Sequence, residues 1–232
     1  MLSLFRKSST VTLNDIADRH YLQDGTQKDR HYQDAYEEIV FPGRQAEHLA
    51  LLELGVANGG SVLTWIDYLP NADIVAIDIL QRPERIPTLE RVHILRGSQD
   101  DTGLLDEAGR RVGRKFDVIV DDASHLGFLT ERSFHHLFTN WLVPGGWYVI
   151  EDCGAGFHPG ISDHGNYRKP PRPGADDKEL RSHDYGTVGF LKQLVDHQML
   201  HYSRPDSDFY PIARMDLRPH IVFIQKRCAD AP

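Results

Sequence analysis

From residue 50 onward, short apolar runs alternate with segments of helical period, and that alternation leaves few architectures open. ALLELGVA (50–57), DIVAIDIL (73–80), RVHILRGS (91–98), FDVIVDDASH (116–125) and GGWYVIEDC (145–153) each supply one apolar run. Such runs are too continuously apolar for strands with a solvent face, so they predict strands buried on both sides. GGSVLTWIDYL (59–69) places Val62, Leu63, Ile66 and Leu69 on one helical face. TGLLDEAGRRVG (102–113), which Gly109 interrupts, and FLTERSFHHLFTNWL (128–142) predict two more helices. Pro144-Gly145-Gly146 is expected to end the second before the fifth strand starts. Strand and helix in strict turn predict a mostly parallel sheet with helices on both faces. Further on, TVGFLKQLVDHQM reads as a helix, MLHYSR as a strand, PHIVFIQK as the strand that ends the sheet, and CADAP as a tail.

Two segments depart from this rhythm. Residues 153–184 are rich in Pro, Gly and charge without a sustained period, which predicts a lid or substrate loop. Residues 1–45 carry Tyr21, Tyr32, Tyr36, His20 and His31 in a polar setting, with IADRHY and DAYEEIVF as short helices. They read as an N-terminal helical cap, packed against the remaining 46–232 or forming a wall over its site. Such an aromatic extension also leaves a homo-oligomer open.

Charge narrows the partners. Lys plus Arg total 26 against 34 Asp plus Glu, a formal net charge of −8, which disfavours a general nucleic-acid binder. A small-molecule partner is favoured. No stretch approaches the roughly 20 apolar residues of a membrane span, and the first residues lack the apolar core of a signal peptide. Cys153 and Cys228 are too few for a disulfide scaffold or a zinc set, so a reducing cytoplasm is expected.

The strand ends carry the chemistry. In ELGVANGGS (53–61), Gly55 and Gly59 allow a tight turn from strand into helix, with Glu53 and Ser61 beside them. The spacing is not G-x-G-x-x-G, so a pyrophosphate site is disfavoured and a nucleoside cofactor without phosphate fits better. Asp78, at the end of the second strand, suits ribose hydroxyls. Ser98, Gln99 and Asp100 follow the third strand, where they can meet an adenine edge. The fourth and fifth strands end in Asp121, Asp122 and His125, and in Glu151 and Asp152. Four carboxylates at one rim repel unless protonated, solvated or bridged by a cation. An oxygen-rich set favours Mg²⁺ over zinc.

The order ELGVANGGS, IDIL, GSQDD, FDVIVDDASH, GGWYVIED resembles the class I S-adenosylmethionine-dependent methyltransferases over about residues 50–152. The paired DDASH and IED motifs resemble the metal-dependent sugar O-methyltransferases of the macrocin and mycinamicin group. The resemblance implies a Rossmann-like α/β sheet whose last strand is antiparallel. It implies S-adenosylmethionine and Mg²⁺ as cofactors and a hydroxyl-bearing acceptor, above all a sugar. Carried over, it makes Asp122, Glu151 and Asp152 the metal positions, His125 the general base and Asp121 a cofactor contact. A catechol-like diol would satisfy the same motif. An NAD-dependent oxidoreductase would also use Asp78, and a noncatalytic cofactor-binding protein would use the rim acids structurally. His135, His136 and Cys153 read as packing or surface residues. His158, His164, His183 and the basic RKPPRP run (168–173) fall in or beside the 153–184 loop.

Overall fold

The computed structural model describes residues 11–21, 28–157, 186–203 and 209–228. Seven strands form one sheet: β1 (Ala50–Leu54), β2 (Asp73–Asp78), β3 (Val92–Arg96), β4 (Phe116–Asp121), β5 (Leu142–Ile150), β6 (Ile212–Arg218) and β7 (Ile221–Lys226). Their order is β3-β2-β1-β4-β5-β7-β6, with the first five parallel and β7 antiparallel to β5. The chain steps outward from β1 to β2 and β3, then returns to the other side of β1 with β4. This reversal opens a crevice beyond the carboxyl ends of β1 and β4, where α/β sheets of this kind bind ligands.

Period-two alternation divides the core. Leu51, Ile74, Ala76, Val118, Val120 and Val149 face one way, against α3 (Gly60–Tyr68), α1 (Leu13–Tyr21), α2 (Arg30–Ala35) and the π-type turn Tyr36–Val40. Leu52, Val75, Ile77, Ile119, Tyr148 and Ile150 face the other, against α4 (Thr102–Val112), α5 (Gly127–Asn140) and α6 (Gly186–Ser203). Both faces are therefore covered, which is why the strand sequences are continuously apolar. The N-terminal helices belong to this packing: Leu13, Tyr36 and Phe41 are buried with Trp65 and Phe223.

Three expectations are corrected. Pro144-Gly145-Gly146 does not precede the fifth strand but lies within it, because the β4–β5 register jumps from Phe116 opposite Leu142 to Val118 opposite Trp147. The irregular stretch accommodates exposed Pro144 and Gly145 at φ 80° without a missing ladder donor. MLHYSR is not a strand: α6, anchored by Phe190, Leu191 and Leu194, continues through Ser203. The last strand β7 does not end the sheet, since β6 flanks it as the edge. β6 is hard to read because Arg214, Asp216 and Arg218 occupy one face, joined by ion pairs of 2.8 Å. The lid expected at 153–184 is described only for its start, a tight 3-10 turn at Cys153–Phe157. His158, His164, His183 and RKPPRP lie outside the described residues, as do residues 229–232 of the tail.

Gly109 breaks the helical pattern of α4 for a packing reason. A Cβ there would lie 2.1 Å from the Trp141 ring, whose indole N–H donates to Asp106 at 2.7 Å. Gly109→Ala should therefore destabilise the fold by about 1–3 kcal/mol, although alanine improves intrinsic helix propensity by about 1 kcal/mol. Urea unfolding of the two proteins tests this, and a stabilised variant would contradict it.

Candidate active site at the carboxyl ends of the strands

Two clefts open beyond the strand ends and meet at Gly55, Ala57, Asp122 and Ala123. The first, about 550 Å³, lies beyond β2 and β3 and is walled by Ile77, Ile79, Leu80, Leu126 and Leu129, with Asp78, Ser98 and Gln99 as polar points. Apolar walls with a few fixed polar groups suit a nucleoside. Asp78 Oδ2 accepts the backbone N–H groups of Val56 (2.7 Å) and Ala57 (3.0 Å), and Oδ1 accepts that of Leu80 (2.7 Å). The carboxylate thus shapes the glycine turn while Oδ1, with a single donor, keeps a lone pair for a ribose hydroxyl. Ser98 donates to Asp100 at 2.6 Å. Gln99 turns its amide inward, donating to Asp121 at 3.1 Å and accepting from the Ser124 N–H at 3.1 Å. It supports the loop leading to His125 rather than presenting its amide to an adenine edge.

The glycine turn is held close to the fourth strand. Gly55 takes φ 97°, and a Cβ on it would lie 2.1 Å from the Asp122 carbonyl oxygen. Gly59, at φ 84°, precedes α3, and a Cβ there would press on Ile86. Ser61 lines the second cleft and donates to Glu53 at 2.9 Å. Glu53 is fully buried beneath the turn, and burial raises its pKa.

The second cleft, about 490 Å³, is lined by Lys28, Asp29, Tyr32, Asp122, His125, Glu151 and Asp152 along with the glycine turn. Alternation explains its acids. Glu53 shares a face with Leu51 and Glu151 with Val149, the side covered by the N-terminal helices. That cover supplies the partners. Lys28 Nζ lies 2.8 Å from Glu151, 3.0 Å from Asp122 and 3.5 Å from Glu53. Tyr36 donates to Glu151 at 2.6 Å and Tyr32 to Asp152 at 2.8 Å. Burial pushes the Glu151 pKa up and the Lys28 ammonium pulls against it.

Ligand atoms of Asp122, His125 and Asp152 all lie within 4.8 Å of one another, with His125 Nε2 3.7 Å from Asp152 Oδ2. Two carboxylates, an imidazole and an open cleft suit a hard divalent ion that keeps water or substrate oxygens. Glu151, expected with them, shares Lys28 Nζ with Asp122 and accepts from Tyr36. His125 (φ 55°), Asp152 (φ 51°) and Ala57 (φ 43°) all hold left-handed backbone conformations beside this cleft. Strain of this kind gathers where side chains are aimed for function.

Asp121 does not line either cleft. It is 2% exposed and points to the α5 face, accepting from Gln99 and, at 3.0 Å, from Ser133. Burial raises its pKa to about 6. A direct cofactor contact is replaced by support of Gln99. Cys153 is buried and its pKa is raised by burial. His135 contacts Tyr210 and His136 pairs with Asp106, as their packing assignment requires. Lys28 was invisible to motif reading, because a single lysine in a turn-rich segment gives no sign that it reaches a residue 123 positions away.

No family model matches the chain. It is 30% identical over 179 residues to mycinamicin VI 2''-O-methyltransferase of Micromonospora griseorubida, covering 74% of this chain and 39% of that protein. It is 33% identical over 159 residues to 8-demethyl-8-(2-methoxy-alpha-L-rhamnosyl)-tetracenomycin-C 3'-O-methyltransferase of Streptomyces olivaceus, covering 66% and 36%. The chain spans less than half the length of these curated relatives. The MycE methyltransferase of the mycinamycin biosynthetic pathway, solved in complex with Mg, SAH and mycinamycin VI, matches with a TM-score of 0.74 at 27% identity, over 96% of this chain and 55% of that one. The sheet is that of the class I methyltransferases, and in sequence and fold the chain resembles the metal-dependent sugar O-methyltransferases of the macrocin and mycinamicin group.

Proposed function

We propose that the chain is an S-adenosylmethionine- and Mg²⁺-dependent O-methyltransferase that methylates a hydroxyl of a sugar or glycosylated natural product. The observation that carries this is the junction of the two clefts: a slot suited to a nucleoside opens at Asp122 directly onto a carboxylate and histidine cluster. The relatives' names support the sugar acceptor.

In this reading Asp78 holds the ribose, Ser98 lines the adenine end while Gln99 braces the wall behind it, and Gly55, Gly59 and Ser61 let the turn approach the methionine portion above buried Glu53. Asp121 acts through Gln99. Asp122, Glu151 and Asp152 would hold the divalent ion, with His125 beside them. When bound, the ion would supply a positive charge that lowers the pKa of an acceptor hydroxyl, and S-adenosylmethionine would give its methyl group to that oxygen and leave as S-adenosylhomocysteine. Nε2 of neutral His125 accepts the proton that leaves the acceptor hydroxyl. Lys28, Asp29 and Tyr32 line the same cleft, so the N-terminal cap at 1–45, together with the loop at 153–184, would select the acceptor. Free Cys153 and Cys228 suit a reducing cytoplasm. Among the described residues, no helix is long and apolar enough to cross a membrane.

Methyl-labelled S-adenosylmethionine offered with a panel of glycosylated macrolides, simple sugars and catechols tests the assignment. The expected result is label on a sugar hydroxyl, lost on chelation and restored by Mg²⁺. Full transfer after exhaustive chelation would overturn the metal, and label on catechols alone would overturn the sugar.

A further inference from the structure

The second cleft contains a cation of its own, placed where three carboxylates converge. Lys28 comes from the segment before α2, is only 12% exposed, and brings its ammonium within 3.0 Å of Asp122 and 2.8 Å of Glu151. Both are positions that the proposed function gives to the metal. Fully buried Glu53 lies 3.5 Å from the same ammonium. Buried carboxylates this close are tolerated only when compensated, and Lys28 provides the compensation.

Resting on that functional reading, we infer that Lys28 is a resident counter-ion that stands in for the divalent ion and competes with it. An incoming ion and the ammonium cannot share the same Asp122 and Glu151 oxygens, and at this separation two positive centres repel. Metal binding therefore requires Lys28 to withdraw. Glu53 is the acid positioned to receive it: it is held by Ser61 at 2.9 Å, is fully buried, and lines neither cleft. Lys28 keeps the acids assembled in the metal-free protein and sets how much free Mg²⁺ is needed to load the site. It is a positioning residue.

Lys28→Met removes the competing charge with little change in length, and Lys28→Arg keeps a charge on a larger head that withdraws less easily. Mn²⁺ serves as the probe, with affinity read by its EPR signal and by calorimetry, and metal-free stability by thermal unfolding. Lys28→Met is expected to bind Mn²⁺ at least about tenfold more tightly while melting lower without metal, and Lys28→Arg to bind it more weakly. The metal-induced rise in melting temperature should be larger in Lys28→Met than in the parent. Unchanged or weaker Mn²⁺ binding by folded Lys28→Met overturns the competition. If Lys28→Met does not fold, Lys28→Arg decides alone, and Mn²⁺ affinity equal to the parent's overturns it. Parent protein that binds no Mn²⁺ refutes the metal reading itself, a different outcome from a parent that binds Mn²⁺ with an affinity insensitive to residue 28.

Discussion

His125→Ala is expected to lower the rate of methyl transfer by about 10²–10⁴-fold, the usual contribution of a positioned general base. Its affinity for S-adenosylmethionine should change by less than about threefold, since that is under 1 kcal/mol of binding energy. The separation follows from placement. His125 lines the acid-rich cleft and not the nucleoside slot, and its ring stands 3.7 Å from Asp152. Its backbone is already in a left-handed conformation, held by the Gln99–Ser124 contact just before it, so truncation should leave the loop in place. Single-turnover transfer and calorimetry measure the two quantities. Because His125 also clusters with Asp122 and Asp152 in ligating geometry, Mn²⁺ affinity of the same variant separates two roles. Unchanged metal affinity with slow transfer identifies a base. Metal affinity lost in parallel with transfer identifies a ligand, and normal turnover removes the residue from the chemistry.

Register explains what could be read from the sequence. The placement of Asp78, Asp122, Glu151 and Asp152 at one rim was legible because a parallel sheet brings the carboxyl ends of its strands together, whatever the loops do. The same two-residue alternation settles Asp121: it shares a face with Ile119, on the α5 side, while Val118 and Val120 point to the opposite face. Reading Asp121 as a cofactor contact beside Asp122 overlooked that neighbours in a strand project oppositely. Lys28, Tyr32 and Tyr36 are a different case. Their contacts with Glu151 and Asp152 span 115 to 123 residues and depend on how the N-terminal helices pack on the sheet. No local period encodes that. MLHYSR and β6 went astray because short mixed segments carry little pattern. The first continues α6 despite its β propensity, and the second is an edge strand whose face of paired charges hides the apolar alternation.

Gly55→Ala should couple the fold and the site most sharply. The added methyl would fall 2.1 Å from the Asp122 carbonyl oxygen, 2.7 Å from its carbon and 3.0 Å from the Ala123 Cα. All three are backbone atoms of the β4 loop, so no side chain can swing away. The loop cannot retreat freely either, because the Asp122 N–H donates to the Leu54 carbonyl at 2.9 Å and the Gly55 N–H to that of Ile77 at 2.8 Å. Relief of the clash must separate the glycine turn from the residues that join the two clefts. We expect a stability loss of about 2–4 kcal/mol in urea unfolding, combining overpacking with a positive φ that alanine resists. Cofactor affinity should fall at least about thirtyfold, roughly 2 kcal/mol, because the turn that approaches the ligand is displaced. Gly113→Ala is the control: it has φ 73° but nothing within 4 Å of its Cβ, so it carries the conformational cost of about 1 kcal/mol without the collision. If Gly55→Ala proves no worse than Gly113→Ala in stability and binds the cofactor normally, the close approach of the β1 and β4 loops does not define the site.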